Sequence, residues 1–337
     1  MKLLFIGGTG VISSACSKLA IAQGFDLYLL NRGQSALRPA PAAAHILRAD
    51  IRDKKAAAQA LAGHTWDAVV NWVAYTPAHI ETDLELFGGK TRQYIFISSA
   101  SAYQTPPSSL PVTESTPLDN PFWDYSRAKI ACEERLLQAF REDRFPMTIV
   151  RPSHTYDATK LPVHGGYTTI ARMLQGKPVI VHGDGTSLWT LTHHLDFATG
   201  FMGLPGNHQA IGQAYHITTN QVLTWNRIFS LLAQAAGVEA RPVHIPSEFI
   251  AAFDADWGAG LLGDKAHSMI FDNSKIKQLV PNFAPAIPFS RGAKEIIAWY
   301  NANPAQQVVD KVLDRRMDEI IAAYRSAWPK SRKGTLK

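Results

Sequence analysis

The sequence predicts an α/β fold: a doubly wound parallel sheet with helices on both faces, followed by a smaller, mixed C-terminal domain. Three observations carry the prediction. Short apolar runs alternate with helical segments through the first 150 residues. A glycine cluster, Gly7-Gly8-Thr9-Gly10, sits between the first apolar run and the first helix. After Pro152 the alternation stops, and glycines, prolines, histidines and aromatics become dense. Strands separated by helices need crossover connections, which favour parallel pairing with both sheet faces covered.

Residues 3–6 read as a buried strand, and 11–23 as a helix ending near Gly24. Residues 26–30 are a second apolar strand. A loose Ala/Pro-rich segment leads to a short strand at 45–49. A helix at 54–62, a strand at 68–71, a helix at 77–87 and a strand at 94–97 follow, the helices closing at Gly63 and Gly88-Gly89. A long helix at 122–141 precedes a sixth strand at 147–150, stopped by Pro152. Beyond it, 214–217 reads as one more sheet strand and 225–236 as a helix. The stretch 241–288 gives no clear period, and 292–300 and 308–327 are helical. The expected division is a first domain of 1–155 plus about 188–218, a second of about 156–187 and 219–328, and a basic tail at 329–337.

The chain has 337 residues, 46% of them hydrophobic and 18% charged, which suits a soluble globular protein with a large core. No apolar run reaches bilayer-spanning length, so no membrane partner is expected. The apolar run after Met1-Lys2 is too short for a signal-peptide core. The only cysteines, Cys16 and Cys132, fall in separate predicted helices. A disulfide framework is disfavoured, and a reducing, cytoplasmic location is expected. The formal charge is +6, but Lys330 to Lys337 carry four positive charges and no acids. Without them 30 basic residues face 28 acidic ones, so a nucleic-acid partner is disfavoured.

Gly7-x-x-Gly10 follows a strand and opens a helix, the setting in which such glycines let a backbone approach a pyrophosphate. The helix N-terminus adds unpaired N–H groups and partial positive charge. This is the start of a Rossmann-type nucleotide site, with Gly7, Thr9, Gly10, Val11 and Ile12 as candidate contacts. A third glycine would complete the fingerprint; Ser13 stands there and is small enough for close helix packing. The second strand ends Asn31-Arg32-Gly33 with no carboxylate to grip ribose hydroxyls. NAD(P) is the expected cofactor, and Arg32 favours NADP over NAD because it can face a 2′-phosphate; the alternative is an arginine on the adenine or in solvent. Asp50 and Ile51 are candidates to line the adenine. Asn71 and Ala74 end the fourth strand at the sheet lip where ligands bind.

Ser99 closes the run Phe96-Ile97-Ser98-Ser99, placing a hydroxyl beside the same crevice. Tyr125 and Lys129 stand at i and i+4 on one helical face. A lysine there favours the tyrosinate and is expected to lower a pKa near 10. Such a phenol can take a proton from a hydroxyl as hydride leaves its carbon, or return it.

These residues resemble the extended, or atypical, short-chain dehydrogenase/reductases, the NAD-dependent epimerase/dehydratase family. The resemblance runs from Met1 to about Ala198. It implies that Tyr125 is the general acid/base, that Lys129 holds the nicotinamide ribose, and that Ser99, four residues before Tyr103, binds the reacting oxygen. Arg151-Pro152 matches as well, with Pro152 beside the nicotinamide. The family's dehydratases carry an Asp-Glu pair at the positions of Ala100 and Ser101, and its decarboxylases a glutamate at Ser101. Both reactions are therefore disfavoured. Sugar-nucleotide members usually place a diphosphate-binding arginine where Trp189 stands, which weakens a nucleotide-sugar reading unless Arg172 or Arg241 substitutes. Trp189 is expected in the core.

His193-His194-x-Asp196 invites a metal reading. Neighbouring histidines on a strand would point to opposite faces, so no metal site is expected. His154, Tyr156, Tyr167 and Tyr75 are candidate pocket residues, each equally suited to packing. The expected function is an NAD(P)-dependent oxidoreductase or epimerase acting on a secondary alcohol or ketone, with a sugar or nucleotide sugar as the small-molecule substrate. The rival is a non-catalytic NADP-binding regulatory or RNA-binding member of the same fold. The resemblance also implies a homodimer that pairs helices 77–87 and 122–141.

Overall fold

A computed structural model describes residues 1–327, and the tail expected at 329–337 lies outside them. The first half runs β1 (Lys2–Ile6), α1 (Val11–Ala22), β2 (Asp26–Asn31), β3 (His45–Arg48), α2 (Lys54–Ala60), β4 (Ala68–Asn71), α3 (Pro77–Phe87), β5 (Tyr94–Ile97), α4 (Asp124–Asp143) and β6 (Met147–Pro152). The rest runs β7 (His154–Tyr156), α5 (Tyr167–Leu174), β8 (Pro178–His182), β9 (Leu188–Trp189), β10 (Leu191–His193), α6 (His194–Phe201) and β11 (Ala214–Ile217). It continues through β12 (Leu223–Thr224), α7 (Trp225–Ala235), β13 (Arg241–Ile245), α8 (Ser247–Phe253), α9 (Ala255–Gly260), a π-helical turn at Leu261–Lys265, α10 (Ser274–Leu279), α11 (Phe289–Ala302) and α12 (Lys311–Ala327).

Seven strands form one sheet in the order β11-β6-β5-β4-β1-β2-β3, every pair parallel. This is the expected doubly wound α/β architecture. Its strands read as continuous apolar runs because both faces are covered. Alternate residues of β1 serve opposite layers. Leu3 and Phe5 pack with Ala15, Cys16, Phe197 and Phe201 of α1 and α6. Leu4 and Ile6 pack with Ala57, Ile80, Cys132 and Leu136 of α2, α3 and α4. Cys16 and Cys132 are therefore free thiols buried on opposite faces of the sheet.

The second half holds elements that sequence periodicity did not show. β8 pairs in parallel with β13, and α5, α7 and α12 pack around that pair. The unread stretch 241–288 contains β13, α8, α9, the π turn and α10. α4 begins at Asp124 rather than 122, because Trp123 is still extended at φ −134° as its N-cap.

Candidate active site

The loop after β1 turns on two left-handed glycines, Gly7 at φ +105° and Gly8 at φ +88°. A methyl group on Gly8 would lie 2.6 Å from Leu29 Cδ2, so only glycine brings the loop this close to β2. Ser17 Oγ donates to Gly8 O at 2.8 Å, and Ser13 Oγ accepts from Gly10 N–H at 2.7 Å. Ser13 thus does more than leave room: it caps the helix from within. The loop opens onto a cavity of about 580 Å³ along the C-terminal ends of β1 to β4. Gly7, Thr9, Asn31, Arg32, Asp50 and Ile51 line it together.

The other residues expected there do not line this cavity. Gly10, Val11 and Ile12 form the cap and first turn of α1 beside it. Asn71 is fully buried, its Oδ1 accepting from Val73 N–H at 2.8 Å and its Nδ2 donating to Asp83 at 2.5 Å. Asp83 also accepts from Tyr94 Oη at 2.5 Å, and burial raises its pKa to about 7. Ala74 is buried and offers its carbonyl to Lys129. Pro152 is simply the last residue of β6. Gln34, Ser35 and Val73 line the cavity unannounced by any motif. Arg32 is largely exposed, its Nη1 3.9 Å from Asp50 Oδ2. Glycine-loop shape, amides free of intrahelical partners at the α1 start and this basic rim all fit a dinucleotide.

Ser99, Tyr125 and Lys129 converge beside that cavity. The Ser99 hydroxyl acts on the Tyr125 phenol, favouring its charged form. Lys129 is 2% exposed; its Nζ donates to Ala74 O at 2.6 Å and Ile97 O at 2.8 Å. It lies 4.6 Å from the Tyr75 ring centre, 4.8 Å from that of Phe96 and 5.8 Å from that of Tyr125. Burial pulls Lys129 down to about 8. The expected lowering of the tyrosine is not found. Burial, then the nearby Tyr75, push Tyr125 up to about 12, with the Ser99 hydrogen bond opposing them. Arg151 on β6 grips Glu133 of α4 through Nη2 at 2.5 Å, fixing the helix that carries both residues.

Tyr125 stands between two cavities. The Tyr75 ring, which lines the first, is centred 6.3 Å from it. The Trp123 ring, 5.0 Å away, lines a second cavity of about 450 Å³. That cavity gathers His154, Lys160, His164, His182, Trp225, Asp254, Trp257 and Lys265. Of the earlier pocket candidates only His154 lies in it; burial lowers its pKa to about 3. Tyr75 lines the first cavity instead. Tyr156 is buried against Phe289 and Gly292, and Tyr167 packs on Tyr300. Lys265 is held by Asp264 at 3.1 Å and lies over Trp123.

Neither substitute arginine reaches this cavity. Arg172 is 1% exposed and bound to Asp314, Asp318 and Pro178 O. Arg241 is exposed at the start of β13. Trp189 is core, its ring 5.7 Å from that of Trp225. His193 and His194 do not diverge as on a strand: the strand ends at His193, which caps α6, and the two rings lie 4.6 Å apart. His193 Nε2 pairs with Glu295 at 3.0 Å, and among the described residues no three His, Cys, Asp or Glu side chains gather as a metal site.

The chain is similar to known proteins over most of its length. The chain is 25% identical over 307 residues to 2′-dehydrokanamycin reductase of Streptomyces kanamyceticus, covering 89% of this chain and 84% of that one. It is 28% identical to chloroplast stem-loop binding protein of 41 kDa b from Arabidopsis thaliana, over 74% of this chain and 67% of the relative. UDP-glucuronic acid 4-epimerase from Bacillus cereus, solved with UDP-glucuronic acid and NAD, superposes with a TM-score of 0.71 at 19% identity, covering 90% of this chain and 99% of its own. The NAD dependent epimerase/dehydratase family matches residues 3–217, close to two thirds of the sequence, and the chain belongs to that family.

Proposed function

We propose that the protein is an NADP-dependent oxidoreductase that interconverts a secondary alcohol and a ketone on a sugar-like ring. The observation that carries this reading is the position of Tyr125, with a wall of each cavity beside it. In this reading the first cavity holds the dinucleotide through Gly7, Thr9, Asn31, Asp50 and Ile51, with Arg32 at the 2′-phosphate. Gly10, Val11 and Ile12 receive the pyrophosphate, with Asn71, Ala74 and Pro152 supporting the nicotinamide end. A bound nicotinamide supplies or accepts the hydride. Lys129 orients the ribose, Ser99 supports the phenolic oxygen beside the reacting carbonyl, and Tyr125 moves the proton. A phenol held at about 12 is protonated at neutral pH, the form that can donate to a ketone oxygen. The second cavity offers aromatic rings and carboxylates, with no arginine among its lining residues, which fits a sugar ring better than a diphosphate.

The test is NADPH oxidation against a panel of keto-sugars, free and nucleotide-linked. Turnover of a free keto-sugar supports the reading; turnover of none of the panel contradicts it. The epimerase reading is favoured by the family match, and one equivalent of cofactor retained through purification would establish it over the reductase. The stem-loop-binding relative favours a non-catalytic reading, which predicts an unchanged phenotype for Tyr125→Phe. A homodimer is proposed through α3 and α4, whose faces are joined within one chain by Arg135 and Glu81; a monomer in sedimentation at micromolar concentration refutes it.

A further inference from the structure

Ser126 follows Tyr125 directly and is completely buried. Its hydroxyl donates to Ser101 Oγ at 2.8 Å. Ser101 Oγ lies 2.8 Å from Ser99 Oγ, and the Ser101 N–H donates to the same Ser99 oxygen at 3.2 Å. A serine hydroxyl has one proton and two lone pairs. Ser101 receives the Ser126 proton, so its own proton is the one left for Ser99. Ser99 then accepts twice, from the hydroxyl and the amide of Ser101. What Ser99 has left is its proton, and the Tyr125 phenol is the group whose charged form Ser99 favours.

We propose that Ser126 and Ser101 are positioning residues that, with Ser99, form a one-way hydroxyl chain aiming the Ser99 proton at the Tyr125 oxygen and stabilising the phenolate. The proposal rests on the reading of Tyr125 as the proton carrier. Each donor in such a chain polarises the next, and the last bond strengthens most when its acceptor becomes charged. A carboxylate at position 101 would only accept, and would draw the Ser99 proton away from the phenol; serine leaves it aimed. The turn is itself held in place. Asn120 Nδ2 donates to Ser101 O at 2.8 Å and to Gly263 O at 2.7 Å, tying the chain to the Leu261–Lys265 turn.

Other titratable groups also face Tyr125. Tyr75 comes from the loop after β4, Lys129 and Cys132 from its own helix, and Asp264, paired with Lys265, from the π turn. None of them is altered in the variants below, so a difference between those proteins reports the chain.

The experiment follows tyrosinate absorbance against pH in the full-length protein with NADP⁺ added. Each protein is measured minus its Tyr125→Phe counterpart. Ser101→Ala should raise the apparent pKa of Tyr125 by about one unit, and Ser126→Ala by less. The double variant should match Ser101→Ala alone, because Ser126 acts only through Ser101. Ser126→Ala removes only a hydroxyl and serves where Ser101→Ala disturbs the turn. Identical titrations in wild type and both single variants, or fully additive shifts, overturn the chain. A phenol that titrates as proposed but whose removal leaves ketone reduction unchanged would refute the function and leave the chain standing.

Discussion

The two cavities whose walls flank Tyr125 are built in opposite ways. The first is lined by residues 6–75, drawn from the ends of four neighbouring parallel strands. The second is lined by residues between Trp123 and Met317, drawn from strands, helices and turns far apart in sequence. Backbone shape governs the first, through the left-handed Gly7 and Gly8 and the opening of α1. Side chains govern the second: three tryptophans, three histidines, two aspartates and two lysines. A backbone-built site needs local spacing, whereas a side-chain site needs the finished fold. Cofactor and substrate recognition should therefore separate under mutation, except at the residue they share.

Tyr125→Phe strikes that shared residue and carries the largest expected effect. Turnover should fall about 10²- to 10⁴-fold, while NADPH affinity, read by fluorescence titration, stays near the wild-type value. Equal loss of both would mean that the two regions are not separable there.

Arg32→Ser tests the first cavity alone. NADPH affinity should drop about tenfold to a hundredfold, the worth of a charge-assisted phosphate contact, with NADH affinity unchanged. Equal changes for the two dinucleotides would break the assignment of Arg32.

Asp83, buried on α3, holds Asn71 at the end of β4. Its carboxyl is raised from an ordinary 3.8 to about 7 by burial, so the folded state keeps this proton to higher pH than the unfolded chain. Its contribution therefore falls as pH rises from about 4 to about 7 and is level above that. Asp83→Asn should remove about 1–2 kcal/mol of that pH-dependent loss. Urea unfolding at both ends of the window checks it, and an unchanged slope contradicts it.

Trp257→Ala tests the second cavity. Its indole stacks on His164 with ring centres 4.0 Å apart. KM for a ketone substrate should rise about fivefold to tenfold, the scale of one aromatic contact, with NADPH affinity untouched. A matching loss of NADPH affinity would erase the contrast between the cavities.

The same contrast explains what could be read from sequence. The sheet was legible because each strand is a short apolar run and each crossover a periodic helix. The Tyr125–Lys129 spacing was legible because a helix fixes it. The second half was not. β8 and β13 have five residues each and pair across 58 intervening positions. α8, α9 and α10 span only six or seven residues, too few for a hydrophobic period. Asp254 and Lys265 belong to no motif, so only the folded chain brings them to Trp123. The phenol's ionisation was misjudged for a related reason: sequence places a lysine near a tyrosine but cannot show that the phenol is buried beside Tyr75.

The most direct test is a crystal structure of the full chain with NADP⁺. The account predicts the 2′-phosphate at Arg32 and the nicotinamide beside Tyr125, its free face toward Trp123 and the second cavity. A dinucleotide seated elsewhere, or a nicotinamide walled off from the phenolic oxygen of Tyr125, would contradict it.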